Sequence, residues 1–193
     1  MASKLERMER TKAPTSKKVG GTFADQNIAD GSALSPASIL WDDPLLLNHL
    51  LDRRAQWATM EKHYAELAVK LKPHTGQANA GKIKHAQLIA ETLSAKIGLT
   101  RRLFSAYAAG DRRQLAAVRR GIAPLVRRLE CTADSLRSNW MARNKPFGFE
   151  GLELRMAGVT ARYKELDRRL AAYLAGPGHS IPELDEIVTG PWR

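Results

Sequence analysis

Three kinds of side chain in this sequence could do chemistry, and each needs a particular neighbourhood. Adjacent carboxylates occur at Asp42-Asp43 and Asp185-Glu186. Such pairs do general-acid and stabilising work on a glycosidic bond, but only when a cleft holds both against the sugar. Asp42-Asp43 is followed by Pro44, so it reads as a helix N-cap with proline at the first helical position. Asp185-Glu186 falls on a short terminal helix, so it reads as surface. The histidines are His49, His63, His74, His85 and His179; no two stand at i, i+4, and neither HExxH nor a Cys-His spacing occurs, so no metal site is expected. Cys131, the single cysteine, allows neither an internal disulfide nor a thiolate-only cluster. It is expected as a small, half-buried residue beside an apolar stripe. Phosphate-cradling GxxxxGK[ST] and GxGxxG runs are missing, as is a GxSxG elbow. No catalytic residue and no cofactor are assigned.

Arginine is the other chemically loaded type. Between Arg101 and Lys145 stand eleven basic residues against three acids, Asp111, Glu130 and Asp134. Arg113, Arg120 and Arg127 recur every seven residues, and Arg113 lies roughly 200° around a helix from Leu115. The three therefore share the face turned away from the core. They are the candidate seat for a phosphate backbone or another polyanion; a solvated face is the plainer reading, since no aromatic interleaving accompanies them.

The elements that must position these groups are helical. Residues 1 to 38 form a polar, basic tail, rich in Lys, Ser, Thr, Gly and Ala with few large apolar groups, and are expected to be disordered. The domain is expected over 39–193. A first helix is expected from Asp42-Asp43-Pro44 to about Lys72, with Leu47, Leu50, Leu51, Trp57, Tyr64, Leu67 and Leu71 near one face. A second runs from about Lys82 to Ala109 and stops at Gly110. Asp111 caps a third, whose Leu115, Val118, Ile122, Leu125, Leu129, Leu136 and Trp140 alternate steps of three and four, apart from one seven-residue step across Thr132-Ala133. Pro124 sits inside it. A fourth carries Phe149, Leu152, Met156, Val159, Tyr163, Leu166, Leu170 and Leu174 and ends at Gly176. Ser180-Ile181-Pro182-Glu183 looks like a capping box opening a last short helix. The expected fold is all-α: an antiparallel four-helix bundle with a short C-terminal helix.

Composition agrees. The chain has 193 residues, 44% of them hydrophobic and 26% charged, with a net charge of +11. That suits one compact soluble domain and favours an anionic partner. No apolar run reaches the roughly 20 residues that span a bilayer, so no membrane partner is expected. With no apolar signal region and no disulfides, a cytoplasmic location is expected.

The most distinctive text runs from Asn139-Trp140-Met141-Ala142-Arg143-Asn144-Lys145-Pro146-Phe147-Gly148-Phe149-Glu150 through Leu152-Glu153-Leu154-Arg155 to Arg162. It resembles the C-terminal helical region of bacterial β-N-acetylhexosaminidases of glycoside hydrolase family 20, where a Trp, an Asn-Lys-Pro-(Phe/Tyr)-Gly-(Phe/Trp)-Glu turn and an Arg-containing helix recur together. Ile39-Leu40-Trp41-Asp42-Asp43-Pro44-Leu45-Leu46 is similar to the opening of that region, and Tyr173-Leu174 through Glu183-Leu184 to its end. The matches fall in family order over about residues 39 to 188. The resembled family does its catalysis in a preceding (β/α)₈ barrel. An adjacent Asp-Glu pair there supplies the general acid and orients the substrate acetamido group as nucleophile. This sequence has no strand pattern for such a barrel, so the pair is not carried over, and Asp185-Glu186 is not it. Where the family tends to have Gly-Gly, this chain has Ala157-Gly158, which implies a slightly relaxed helix approach there.

The resemblance therefore implies a non-catalytic helical accessory domain that docks on a catalytic barrel or self-associates; a basic bundle binding nucleic acid is the alternative. Trp41, Asp42, Asp43, Trp140, Asn144, Lys145, Phe147, Glu150 and Arg155 are the candidate interface or cleft residues. The Lys145–Gly148 turn is expected to separate the third and fourth helices. Phe147 and Phe149 can staple it to the bundle, and Gly148 tolerates a positive φ.

Overall fold

A computed structural model describes residues 36–47, 50–76, 79–176 and 179–189. The tail expected over 1–38 lies almost wholly outside the described residues, as does His49. The described chain is all-α: α1 (Pro36–Trp41), a 3₁₀ turn (Leu51–Gln56), α2 (Trp57–Leu71), a 3₁₀ turn (Lys72–His74), α3 (Ala80–Ala108), α4 (Arg112–Met141), α5 (Phe149–Ala175) and α6 (Pro182–Thr189). No strand occurs among the described residues.

The start of the first long helix differs from expectation. Asp42, Asp43 and Pro44 follow α1 instead of opening a helix, and regular α-helix begins only at Trp57. The Asp43 carboxylate does accept the Leu45 and Leu46 amides, at 2.8 and 3.2 Å, as a cap would. The chain beyond stays irregular because Leu45, Leu47 and Leu50 are each buried. Tertiary burial outweighs the capping signal there.

The later boundaries follow local chemistry. Gly110, at φ +63°, ends α3: its amide bonds the Tyr107 carbonyl and the Asp111 amide bonds the Ala106 carbonyl, a Schellman arrangement. The Asp111 side chain then caps α4 by accepting the Gln114 amide at 2.9 Å. Pro124 lies inside α4, which continues to Met141. At the start of α6, the Ile181 carbonyl accepts the Leu184 and Asp185 amides.

Consecutive long helices pack antiparallel: α2 on α3, α3 on α4, α4 on α5. Cross-helix pairs set the register. Trp57 meets Phe104, Thr92 meets Thr132, and Arg119 meets Asp167. The helices are not equivalent corners of a square. α3 runs through the middle, buried continuously from Lys96 to Thr100, and also carries α6. The α1–α2 connection reaches α3 and α5 directly, through Lys96 and Arg162. Gly98 leaves room for the Glu61 carboxylate of α2 to lie over α3: a Cβ there would lie 2.3 Å from Glu61 Oε1. Gly158, by contrast, is exposed with nothing within 4 Å of such a Cβ, so the relaxed approach expected at Ala157-Gly158 does not bear on packing.

Candidate functional site

The candidate residues separate into three places. The first is built by the end of α1 and the segment after it. Its Leu40 and Asp42 carbonyls accept from Lys96 Nζ at 2.7 and 2.6 Å, so a lysine from the middle of α3 caps the end of α1. The Asp42 side chain is buried and accepts the Leu50 amide at 2.6 Å. The Leu50 carbonyl accepts from Trp57 Nε1 at 2.7 Å. Asp43 faces outward to Arg162 of α5, in a half-buried ion pair. Trp41 stands half-buried beside them.

Lys96 has no solvent exposure. Burial pulls its pKa down to about 7, against the Asp42 and Asp43 charges, which favour the ammonium. The Tyr163 ring lies under it, 5.7 Å from nitrogen to centroid. Burial drives the Tyr163 phenol well above its ordinary range. Its hydroxyl lies beside that of Thr100, and neither makes a hydrogen bond of good geometry. This is a closed polar cluster. With Lys96, Thr100 and Tyr163 shut away from solvent, it holds the segment in place.

The second place is the α4–α5 corner. Trp140 Nε1 donates to the Lys145 carbonyl at 2.9 Å, the Asn144 amide bonds the Trp140 carbonyl, and the Trp140 and Phe149 rings stand 6.0 Å apart. Gly148 takes φ +88°, a conformation glycine tolerates, and its amide is accepted by the Glu150 carboxylate at 2.8 Å. Phe147 does not staple the corner: it is 85% exposed, and the Trp140–Phe149 pair does that work. Asn144, Lys145, Glu150 and Arg155 are also exposed. Arg162 lies thirteen residues beyond Phe149, about 20 Å along α5. The Trp41–Asp43 group and the corner therefore cannot touch one small ligand together. A mainly apolar groove of about 350 Å³ runs between α4 and α5 near the corner, lined by Ala133, Leu136, Phe149, Met156 and Ala157 among others.

The third place is the outer face of α4. Arg113, Arg120 and Arg127 are exposed there, and among the described residues none of the three has a hydrogen-bond or ion-pair partner. Neighbouring arginines are engaged: Arg119 with Asp167, Arg128 with Glu91, Arg101 and Arg102 with Glu61.

Of the remaining candidates, Asp185 and His85 have structural partners. Asp185 accepts from the Tyr107 hydroxyl at 2.7 Å. His85 Nδ1 stands 3.1 Å from Ser135 Oγ; burial, then the nearby Arg143 charge, lower its pKa. No group of three or more metal-ligating side chains gathers among the described residues. Cys131 is exposed, not half-buried, because Thr132 takes the core position in that turn. No described helix is long and apolar enough to cross a membrane.

Sequence reasoning missed Lys96. A signal was present, since Thr92, Lys96 and Thr100 stand at i, i+4, i+8 and make a polar stripe on a helix whose other face is apolar. All three are buried, the mark of a helix covered on more than one side.

The family described as the Glycoside Hydrolase 20C C-terminal domain matches the chain over residues 24–189. No curated protein matches it.

Proposed function

The chain belongs to the glycoside hydrolase 20C C-terminal domain family, and from that membership we propose a non-catalytic accessory domain that docks on the catalytic barrel of a β-N-acetylhexosaminidase. The family match over 24–189 carries this reading. The geometry supports it: three of the four paired carboxylates are engaged in holding the fold, Asp42 and Asp43 with the Leu50 amide and Arg162, and Asp185 with Tyr107. The corner supplies exposed groups for a partner surface, with Phe147 at its tip and Asn144, Lys145, Glu150 and Arg155 around it. Self-association through the same surface is the other form of this reading. A cytoplasmic location belongs with it and draws on the lone cysteine.

The test combines two measurements on the purified chain. Hydrolysis of a chromogenic β-N-acetylglucosaminide should be absent, and titration with the barrel of a family 20C enzyme should give a complex weakened by Phe147→Ala and Arg155→Ala. Turnover that survives repurification would overturn the non-catalytic assignment. A barrel that ignores the chain at micromolar concentration would overturn the docking.

A second reading is favoured by one observation, the three unengaged arginines on α4. It makes that face a binding surface for nucleic acid or another polyanion.

A further inference from the structure

Residues 39–47 are held down by a buried amine. Lys96 Nζ has two acceptors, the Leu40 and Asp42 carbonyls at 2.7 and 2.6 Å, and its remaining direction faces the Tyr163 ring. A neutral amine has two N–H donors, one for each carbonyl; an ammonium has a third, which is left with the face of the Tyr163 ring in a site shut off from water, where burial works against the charge. Among the described residues, the charged groups around it include Asp42 and Asp43 from the segment and Arg162 from α5, with the Tyr163 phenol also from α5. Asp43 and Arg162 are already paired with each other, so Asp42 is the nearer counter-charge. Both carbonyls, and both carboxylates, belong to the segment. If it lifts, Lys96 loses all of them and meets water.

From this geometry we propose that residues 39–47 are a proton-gated strap, docked on α3 and α5 when Lys96 is neutral and loosened when Lys96 takes up a proton. The strap carries Trp41, Asp42 and Asp43, so the gate decides whether these three are presented in their docked arrangement. The sign follows from linkage. Docked, Lys96 titrates near 7; lifted, it returns to the ordinary lysine value of about 10.4. Between those values the lifted form binds the extra proton, so raising pH favours docking. The docking constant should rise by up to about tenfold per pH unit from near 7.5 to 9.5, and level off below about 6.5, where both forms are protonated.

Native-state hydrogen exchange on the full chain tests this at the Leu45 and Leu46 amides, which bond the Asp43 carboxylate. After correction for intrinsic rates, their protection should climb steeply from pH 7 to 9 and open at lower free energy than amides in the centre of α4. Lys96→Met should flatten that climb. Should the variant fail to fold, the carbon-13 shift of Lys96 Cε in the wild-type chain follows the same proton. A Lys96 midpoint at or above 10 would overturn the gate. So would pH-independent protection of Leu45 and Leu46, a Lys96→Met variant that keeps the climb, or a strap that opens only together with α4.

Discussion

The hydroxyl of Tyr107 on α3 sits at the start of α6: it accepts the Ile181 amide at 3.0 Å and donates to the Asp185 carboxylate at 2.7 Å. One side chain thus satisfies the amide just before α6 and a carboxylate in its first turn. Leu184 and Ile187 are buried, and Arg169 adds an ion pair to Glu183 at 3.2 Å.

Tyr107→Phe removes both bonds while keeping the ring that packs on Tyr173. The Ile181 amide is then buried without an acceptor, which costs about 1–3 kcal/mol. Chemical denaturation should show that loss, and exchange should quicken first in residues 182–189. A pH dependence follows too. Burial, then the bond to Asp185, push the Tyr107 phenol up to about 12, against the Ile181 amide, which favours the phenolate. The unfolded phenol titrates near 10. The unfolded chain therefore loses its proton first, and stability should fall as pH rises from about 10 to 12, with α6 leaving early. Tyr107→Phe should remove that alkaline limb.

Most of the helices could be read from periodicity because one face of each is apolar and the other wet. α4 and α5 are the clear cases: Leu115, Val118, Ile122, Leu125 and Leu129, like Met156, Val159, Tyr163, Leu166 and Leu170, are the residues that become buried. Caps with a local mechanism were equally legible, as at Asp111, Gly110 and Gly148. What escaped depends on distant partners. Asp42-Asp43-Pro44 carries a good helix-start signal, and the Leu50 amide, Lys96 and Arg162 redirect it; no local window contains all three. Lys96 was hidden because α3 is enclosed on several sides, and a single-face pattern assigns the polar stripe to water. Phe147 was misplaced because an aromatic in a turn reads as core, whereas Trp140 had already filled the position against Phe149. The family text was visible at the corner and the opening segment, yet those groups sit far apart along α5, which spacing alone does not reveal.

The seven-residue step in the α4 stripe is filled by Thr132. Its hydroxyl lies 2.8 Å from that of Thr92, both side chains are buried, and it also donates to the Arg128 carbonyl. Thr132→Val should leave the Thr92 hydroxyl buried without its partner and lower stability by about 1–3 kcal/mol. Combining it with Thr92→Val should cost less than the sum of the two single changes, since no orphan hydroxyl remains. Additive losses in urea titrations would mean that the two hydroxyls are not coupled.

Gly148 holds φ +88° at the entry to α5, with the Glu150 carboxylate on its amide. Alanine there has room, the nearest atom being Trp140 Cζ2 at 3.8 Å, so the cost is conformational. Gly148→Ala should lower stability by about 1–2 kcal/mol, and Gly148→Asn by less, because asparagine tolerates the left-handed region. Equal losses for both variants would point to crowding against Trp140 instead.

Arg113, Arg120 and Arg127 offer the sharpest separation between the two readings of function. They are exposed, unengaged and on the outer face of α4, so replacing all three with Gln should shift stability by no more than about 0.5 kcal/mol per site. If the face binds a polyanion, the wild-type chain should bind a duplex oligonucleotide with an affinity that falls steeply with salt. The triple variant should then lose most of that affinity and of its salt slope, because each neutralised phosphate contributes close to one unit. A chain that docks on a barrel through the α4–α5 corner should instead be indifferent to these changes and sensitive to Phe147→Ala, twenty residues along the sequence from Arg127 and on another surface. Binding of the duplex unchanged by the triple substitution would remove this face from consideration, whatever the corner does.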